Sequence, residues 1–283
     1  MEPYIALFDL PDDGPAPRAS RGFDWQPLRR AATALALPAT LLAVWEALSR
    51  TGGVPTHLLP PPSALAATIV ELAQQGLGWH VLASALRVGV GFLLGAALGV
   101  ALGAWVGLNR TTQAVLDPTI QGLRAIPSLA WVPLLLLWLG IDEAPKITLI
   151  ALGAFFPVYL GLVAGIHDVD RKWVELGAIH GLSRWALIRR ILIPASLPSL
   201  FTGLRNGLGM AWMFMVAAEL IAASKGLGYL LTDGRENSRP DIVLTTIVLL
   251  AVLGKLSDGV LLRVEQRSLA WRDTYSSQEA RHV

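Results

Sequence analysis

From Trp79 to Leu108 the chain is apolar or small-residue throughout, with Arg87 its one permanently charged side chain. As a helix rising 1.5 Å per residue this run measures about 45 Å, against a hydrocarbon core of about 30 Å. It spans a bilayer with length to spare, so it either tilts or projects beyond the membrane. Composition agrees: only 16% of the 283 residues are charged, where soluble domains carry about a quarter. Helical spans of roughly 20 residues absorb most of such a chain as one membrane domain and leave no room for a large soluble catalytic domain. A formal net charge of +2 is too small to argue for a nucleic-acid partner. The absence of cysteine excludes disulfides, thiolate metal ligands and cysteine nucleophiles.

The same reading applied along the chain predicts an all-α polytopic membrane protein with six spans. Residues 1–30 form a polar tail, and residues 31–54 hold span 1 (Ala31–Leu48) and a stiff proline-rich connector. Ser63 is placed to cap an amphipathic helix reaching about Gln75. The core, residues 55–262, then holds span 2 (Trp79–Leu108), span 3 (Pro118–Leu139, interrupted by Pro127 and Pro133) and span 4 (Lys146–Ile166). A polar, basic loop over 167–198, span 5 (Ser199–Ala222), a glycine-rich loop and span 6 (Asp241–Leu262) complete it, and residues 263–283 form a second tail.

With both termini inside, the loop lysines and arginines gather inside, from Arg29 and Arg30 through Arg110, Arg124 and the 167–198 loop to Arg263 and Arg267. Arg50, Lys146, Lys225, Arg235 and Arg239 fall outside. That bias satisfies the positive-inside rule and makes 167–198 a cytoplasmic loop. Trp45, Trp79, Trp105 and Trp138 stand near span ends, as interfacial anchors do.

Span 2 carries Gly91, Gly95, Gly99, Gly103 and Gly107 at strict fourfold spacing. Each step turns 400°, so the glycines line an inclined groove into which a second helix can settle closely. Charges in or beside spans are functional candidates because lipid penalises them. Arg87 either meets an anionic substrate at the outer mouth, or snorkels or forms an ion pair. Glu219 is in reach of Lys225 or Arg235, and Lys255 and Asp258, three apart, are placed to satisfy each other. Gly226, Gly228 and Tyr229 lie in a predicted turn after span 5. No Gly-x4-Gly-Lys-Ser/Thr loop, His-Glu-x-x-His pair or Gly-x-Ser-x-Gly elbow occurs, so no catalytic residue, metal site or cofactor site is expected.

The loop DVDRKWVELGAIHGLSRWALIRRILIPASLPSL has internal design. Asp168 or Asp170 can cap a helix over about Arg171–Ile179, Gly181 can end it in a left-handed conformation, and Ser183 can cap a second helix over about Arg184–Leu192. Pro194 and Pro198 then stop it or turn the chain. Trp173, Val174, Leu176, Ile179, Trp185, Leu187 and Ile188 are too apolar for a loop that meets only water, so they are expected to be buried against this protein or a partner.

This segment resembles the cytoplasmic signature of permease subunits of binding-protein-dependent ABC importers: Glu-Ala-Ala, three residues, Gly, nine residues, Ile-x-Leu-Pro. Glu175, Gly181, Ile191 and Pro194 stand at the matching distances, Leu176 and Gly177 replace the two alanines, and Ile193 replaces the leucine. The resemblance extends over about residues 55–272. RAIPSLAWVPLLLLWLGIDEAPKITLIALGAFFPVYLGLVAGIHDVD is similar to the nitrate, sulfonate and taurine branch, and most of all to its aliphatic sulfonate permeases. The resemblance implies a type I ABC importer (MetI-like) permease fold in the bacterial inner membrane, acting as a homodimer. It implies two ATPase subunits, which carry the ATP and Mg, docked on Trp173, Glu175, Leu176, Ala178, His180, Gly181, Ile191 and Pro194, and a soluble substrate-binding protein outside. It also favours a partly re-entrant turn at Gly226–Tyr229 near the outer gate. The rival class is a self-contained ion-coupled carrier using Arg87 or Glu219, for which the sequence offers no inverted repeat.

Overall fold

The computed structural model describes residues 26–271; residues 1–25 and 272–283, most of the two predicted tails, lie outside the described residues. In chain order come α1 (Gln26–Arg50), α2 (Pro62–Gln74), α3 (Leu77–Leu108), α4 (Arg110–Ala125), a 3₁₀ turn (Ser128–Trp131), α5 (Val132–Leu139) and α6 (Glu143–His167). They are followed by α7 (Arg171–Ile179), α8 (Arg184–Leu187), a π turn (Ile188–Leu192), α9 (Ile193–Ala222), α10 (Leu227–Glu236) and α11 (Pro240–Ser268). The chain is an all-α polytopic membrane protein, and each predicted span is helical. By length and apolarity alone α3, α6 and the continuous stretch Arg184–Ile221 can cross a membrane, and α4 with Ser128–Leu139 makes a fourth span if the bent pair counts as one. The predicted first and sixth spans coincide with α1 and α11; α11 carries Asp241, Lys255 and Asp258, which dilutes its apolar character.

Three local expectations are corrected by the geometry. Ser63 does not cap α2 with its own side chain. Pro61 occupies the N-cap, and Glu46 of α1 reaches across, its carboxylate accepting from the Ser63 N–H (3.0 Å) and hydroxyl (2.8 Å). The third span does not begin at Pro118, which lies inside α4; the interruption expected at Pro127 is present, with Ile126 in the extended backbone that a following proline imposes, and the two halves meet at 88°. Pro194 and Pro198 do not end a helix either. The Ile193 N–H bonds to the Ile188 carbonyl, five residues back, and this widened π turn accommodates a ring that would otherwise press on the carbonyl of Arg190.

The centre of the bundle is α6, gripped between α3 and α9. Val88 of α3, Ile150 and Ala154 of α6, and Leu208, Ala211 and Met215 of α9 form one buried cluster. The glycine stripe of α3 faces α6. A Cβ on Gly91 would lie 2.6 Å from Ile150 Cγ2 and one on Gly99 2.9 Å from the Phe155 carbonyl oxygen, while at Gly95 it would run into the Ala151 backbone. Gly103 and Gly107 meet Tyr159, Leu162 and Ile166 further along. A second seam joins an adjoining face of α6 to α9, with Gly161 against Gly203, Gly165 against Ser196 and Ser199, and Gly207 against Ala154. At such approach many backbone atoms enter dispersion contact, which in lipid must replace the hydrophobic drive.

Polar clasps add the outer helices. Tyr159 donates to Asp117 (2.8 Å), fixing α4 on α6. Arg205 of α9 forks onto Asp258 of α11 (2.8 and 3.1 Å), so Asp258 is held by Arg205 and only distantly, at 4.0 Å, by the predicted Lys255. Arg239 binds Glu71 of α2 (2.9 Å) and Asp241 of α11 (2.7 Å), and its hydrogen bonds hold the Glu71 carboxyl below the usual carboxylate range.

The seam makes a sharp prediction from a single methyl group. Gly95→Ala must displace α6 backbone and is expected to lower the thermal midpoint of the detergent-solubilised protein, at a cost of about 1–3 kcal/mol. Gly89→Ala on the same helix, where a new Cβ meets nothing within 4 Å, is expected to be neutral or stabilising by up to about 1 kcal/mol. Equal midpoints for the two variants would refute the packing role.

Candidate functional site

The stripe that carries the α3 glycines continues toward the start of the helix as His80, Ser84 and Arg87, and there it becomes polar. These three meet the beginning of α10. The N–H of Gly226 donates to His80 Nδ1 (3.1 Å), that of Leu227 to Ser84 Oγ (2.8 Å), and that of Gly228 to Glu219 Oε2 (2.7 Å). A helix start leaves its first N–H groups without intrahelical partners; here α3 and α9 supply them. Gly226 has φ +129°, a conformation side chains rarely adopt, and a Cβ there would strike the Glu219 carboxylate. The predicted turn at Gly226, Gly228 and Tyr229 is therefore the buried start of a helix, with Tyr229 stacked on His80 at 5.8 Å between centroids.

Arg87 does not snorkel. It is 7% exposed and spends every guanidinium nitrogen inside the protein. Nε and Nη2 fork onto Glu143 (2.6 and 2.7 Å), and Nη1 binds Glu219 (2.7 Å) and the Lys225 carbonyl (2.6 Å). Glu219, 1% exposed, also accepts from Ser84 Oγ (2.8 Å), so its partner is Arg87 rather than the Lys225 or Arg235 side chain expected from sequence. Lys146 completes the group on Glu143 (3.2 Å). Two cations and two carboxylates cancel, and the knot ties α3, α6, α9 and α10 together. His80 and Ser84 were missed in the sequence although they share the Arg87 face at steps of four and three, and Glu143 was missed because the fourth span was begun at Lys146.

At the other end of the bundle the 167–198 loop is a compact knob. Asp170 caps α7 by accepting from the Lys172 N–H (2.9 Å), Gly181 turns with φ +71°, and Ser183 caps α8 through the Ala186 N–H (3.3 Å). Gly177 is buried against the π turn, where a Cβ would lie 2.8 Å from Ile191 Cδ1. Val174, Leu187, Ile188, Ile191 and Pro194 are half-buried. Trp173 (60% exposed), Ile179 (80%) and Trp185 (69%) stay uncovered, as do Glu175, Leu176, Ala178, His180 and Gly181. Within the chain Glu175 meets Arg171 (2.7 Å). The apolar residues expected to be buried thus divide into those that pack on this chain and those that face outward.

A third feature was not read as a site in the sequence, although Arg124 and Ser128 open the RAIPSLAW block. Beside the break after α4, an open cleft of about 1000 Å³ runs along residues 153–164 of α6 and 199–214 of α9, from the middle of both helices toward the α7 end. Apolar groups such as Phe156, Leu160 and Phe214 make most of its wall, Arg124, Ser128, Ser199, Thr202, Arg205 and Asn206 are its polar members, and no carboxylate lines it.

The knot predicts an asymmetry between breaking it and removing it. Glu219→Ala leaves Arg87 with Glu143 alone, strands two further donors, the Ser84 hydroxyl and the Gly228 N–H, and is expected to destabilise the protein by about 3–5 kcal/mol. Arg87→Met combined with Glu219→Gln is expected to be milder than the sum of the single changes, read by thermal unfolding of the four proteins; strict additivity would contradict a shared knot.

The comparisons with known proteins fit this arrangement. Residues 91–269 match the family model for the binding-protein-dependent transport system inner membrane component. A Bacillus subtilis protein named as an aliphatic sulfonates transport permease is 41% identical over 242 residues, covering 85% of this chain and 88% of the relative. The taurine transport system permease protein of Escherichia coli is 34% identical over 260 residues, covering 89% and 94%. A chain of the MetNI methionine ABC transporter, solved in inward-facing conformations, shares the fold with a TM-score of 0.60 at 18% identity, covering 68% of this chain and 95% of that one. The chain belongs to the family of inner-membrane components of binding-protein-dependent transport systems and has the MetI-like permease fold.

Proposed function

We propose that this chain is the permease subunit of an ATP-driven importer for aliphatic sulfonates, working as two copies with two cytoplasmic ATPase subunits below and a soluble receptor above. The observation that carries the reading is the knob. A short helix capped by Asp170 and closed by Gly181 presents Trp173, Leu176 and Ile179 outward while Gly177 seats it on the π turn at the foot of α9. Such a rigid apolar projection suits a partner that pushes, and the helix it stands on runs unbroken through the bundle to Ile221. In this reading the α7 end and both termini are cytoplasmic, in line with the basic loop, and the α10 end faces the receptor. ATP binding draws the two knobs together and opens the spans outward; hydrolysis resets them. The chain itself supplies no catalytic group, and ATP and Mg sit on the partner.

The cleft, open on one side, suits half of a pathway completed by a second copy. The ion-coupled alternative loses support because Arg87 and Glu219, the charges it would use, close on each other and on Glu143 within a neutral knot. Sulfonate is preferred as cargo because the 41% identical relative carries that name, against 34% for the taurine permease.

Two measurements test the proposal. Gly181→Pro, which cannot adopt φ +71°, and Glu175→Lys are each expected to abolish uptake and receptor-stimulated ATP hydrolysis while the protein still inserts; wild-type uptake by both variants in vesicles would overturn the coupling role. The reconstituted wild-type complex with its own receptor is expected to take up alkanesulfonates in preference to taurine or nitrate, and preference for either of the latter would reassign the cargo.

A further inference from the structure

The cleft contains a charge that the fold does not use. The other arginines within the five spans of residues 79–262 are committed: Arg87 to Glu143 and Glu219, Arg205 to Asp258 and, at 3.7 Å, to Glu265. Arg124 stands at the end of α4 and lines the cleft, with no ion pair or hydrogen bond from its side chain among the described residues. Ser128, Ser199 and Asn206 line the same cleft with equally unengaged side chains, whereas the Thr202 hydroxyl is occupied by the Pro198 carbonyl (3.1 Å). Arg124 is exposed on the wall of this open cleft, and an unpartnered cation so placed in a membrane domain is a candidate for meeting ions or polar substrates that enter.

The sign of the visitor follows from the lining. Two guanidinium groups and no carboxylate face the cleft, and the charge of Arg205 is balanced from α11, so the uncompensated field is that of Arg124. A guanidinium offers a planar fork of N–H donors that fits two oxygens of a sulfonate or a nitrate, and in a low-dielectric wall its field reaches well beyond contact. A zwitterion brings an ammonium group for which the lining holds no counter-charge.

We propose that Arg124, with Ser128 and Asn206 as neutral hydrogen-bonding neighbours, is the anion-attracting element of the translocation cleft and selects small oxyanions during passage. The proposal rests on the importer reading for its cargo, yet its central measurement does not need that cargo. The chain has no cysteine, so Asn206→Cys introduces one unique thiol. In membrane vesicles holding the assembled complex, that thiol is challenged with anionic methanethiosulfonate ethylsulfonate and with its cationic trimethylammonium analogue, and labelling of this chain is read by mass. Arg124→Gln is expected to lower the anion-to-cation rate ratio by roughly tenfold, and Arg124→Lys to keep it. A ratio unchanged by Arg124→Gln, or a thiol that neither reagent reaches, overturns the proposal. A parallel arm measures ethanesulfonate uptake with Asn206 intact: Arg124→Gln is expected to lower uptake about tenfold and Arg124→Lys to restore most of it, and equal loss in both variants would point to a structural arginine and overturn it. If the wild-type complex imports none of alkanesulfonates, taurine and nitrate, the importer reading fails while the rate ratio still decides the anion site.

Discussion

Backbone-to-backbone approach of α6 to its two neighbours is the constraint on which the rest of this structure depends. In water a helix bundle is driven together by expelling solvent from leucine and valine; in a bilayer the lipid tails are as apolar as the side chains, and that drive is absent. The chain answers with two seams in which glycine removes the side chain altogether, Gly91 to Gly107 against one face of α6 and Gly161, Gly203 and Gly207 along the face next to it. Fourfold spacing keeps each seam along an inclined ridge, so contact persists over most of a helix length. With α3, α6 and α9 fixed in this way, the ends of the bundle can be specialised without threatening its middle.

The two ends use polar chemistry in opposite ways. At the α10 end, Arg87, Lys146, Glu143 and Glu219 are folded inward until their charges cancel, and the leftover acceptors of Ser84, His80 and Glu219 go to the first N–H groups of α10. Stranding one charge of such a group costs several kcal/mol, so its members stay together or fail together. At the α7 end the capping side chains Asp170 and Ser183 serve only to shape the knob, and its aromatic residues are left facing outward. One end is closed on itself and the other leaves an apolar surface uncovered.

Much of this was legible in the sequence, for identifiable reasons. The spans follow from long apolar runs, the α3 seam from a period of four, and the knob from an aspartate, a glycine and a serine at cap positions. The second seam was equally written, as Gly153, Gly161 and Gly165 on α6 and Gly203 and Gly207 on α9, but prolines and aromatics interleave there and hide the period. The partners of Glu219 were not legible. Arg87 is 132 positions away, and no local pattern predicts which of several cations a buried carboxylate will meet. The prolines misled because proline often ends a helix, whereas Pro194 sits in the first turn of α9 behind a π turn and Pro198 is carried inside the same helix. At Ile126, just before Pro127, the backbone turns extended and the span breaks as the sequence reading expected.

That break is also what gives the cleft its character. Had α4 run straight into α5, Arg124 would lie on a continuous helix face and would need a carboxylate or the headgroup region to be tolerated, at a cost of about 2.5–3.5 kcal/mol near the bilayer centre. The turn of 88° after Ala125 instead opens a recess between α4, α6 and α9 with Arg124 and Ser128 at its edge. Thus Arg87 and Arg124, similar in sequence as lone arginines among apolar residues, do opposite things. Arg87 is neutralised by carboxylates on two other helices and holds the fold, and Arg124 is left unneutralised where the wall is open. A chain that spends so few charges and pairs nearly all of those in its spans has reason to leave one unpaired only where a charge is to be met from outside.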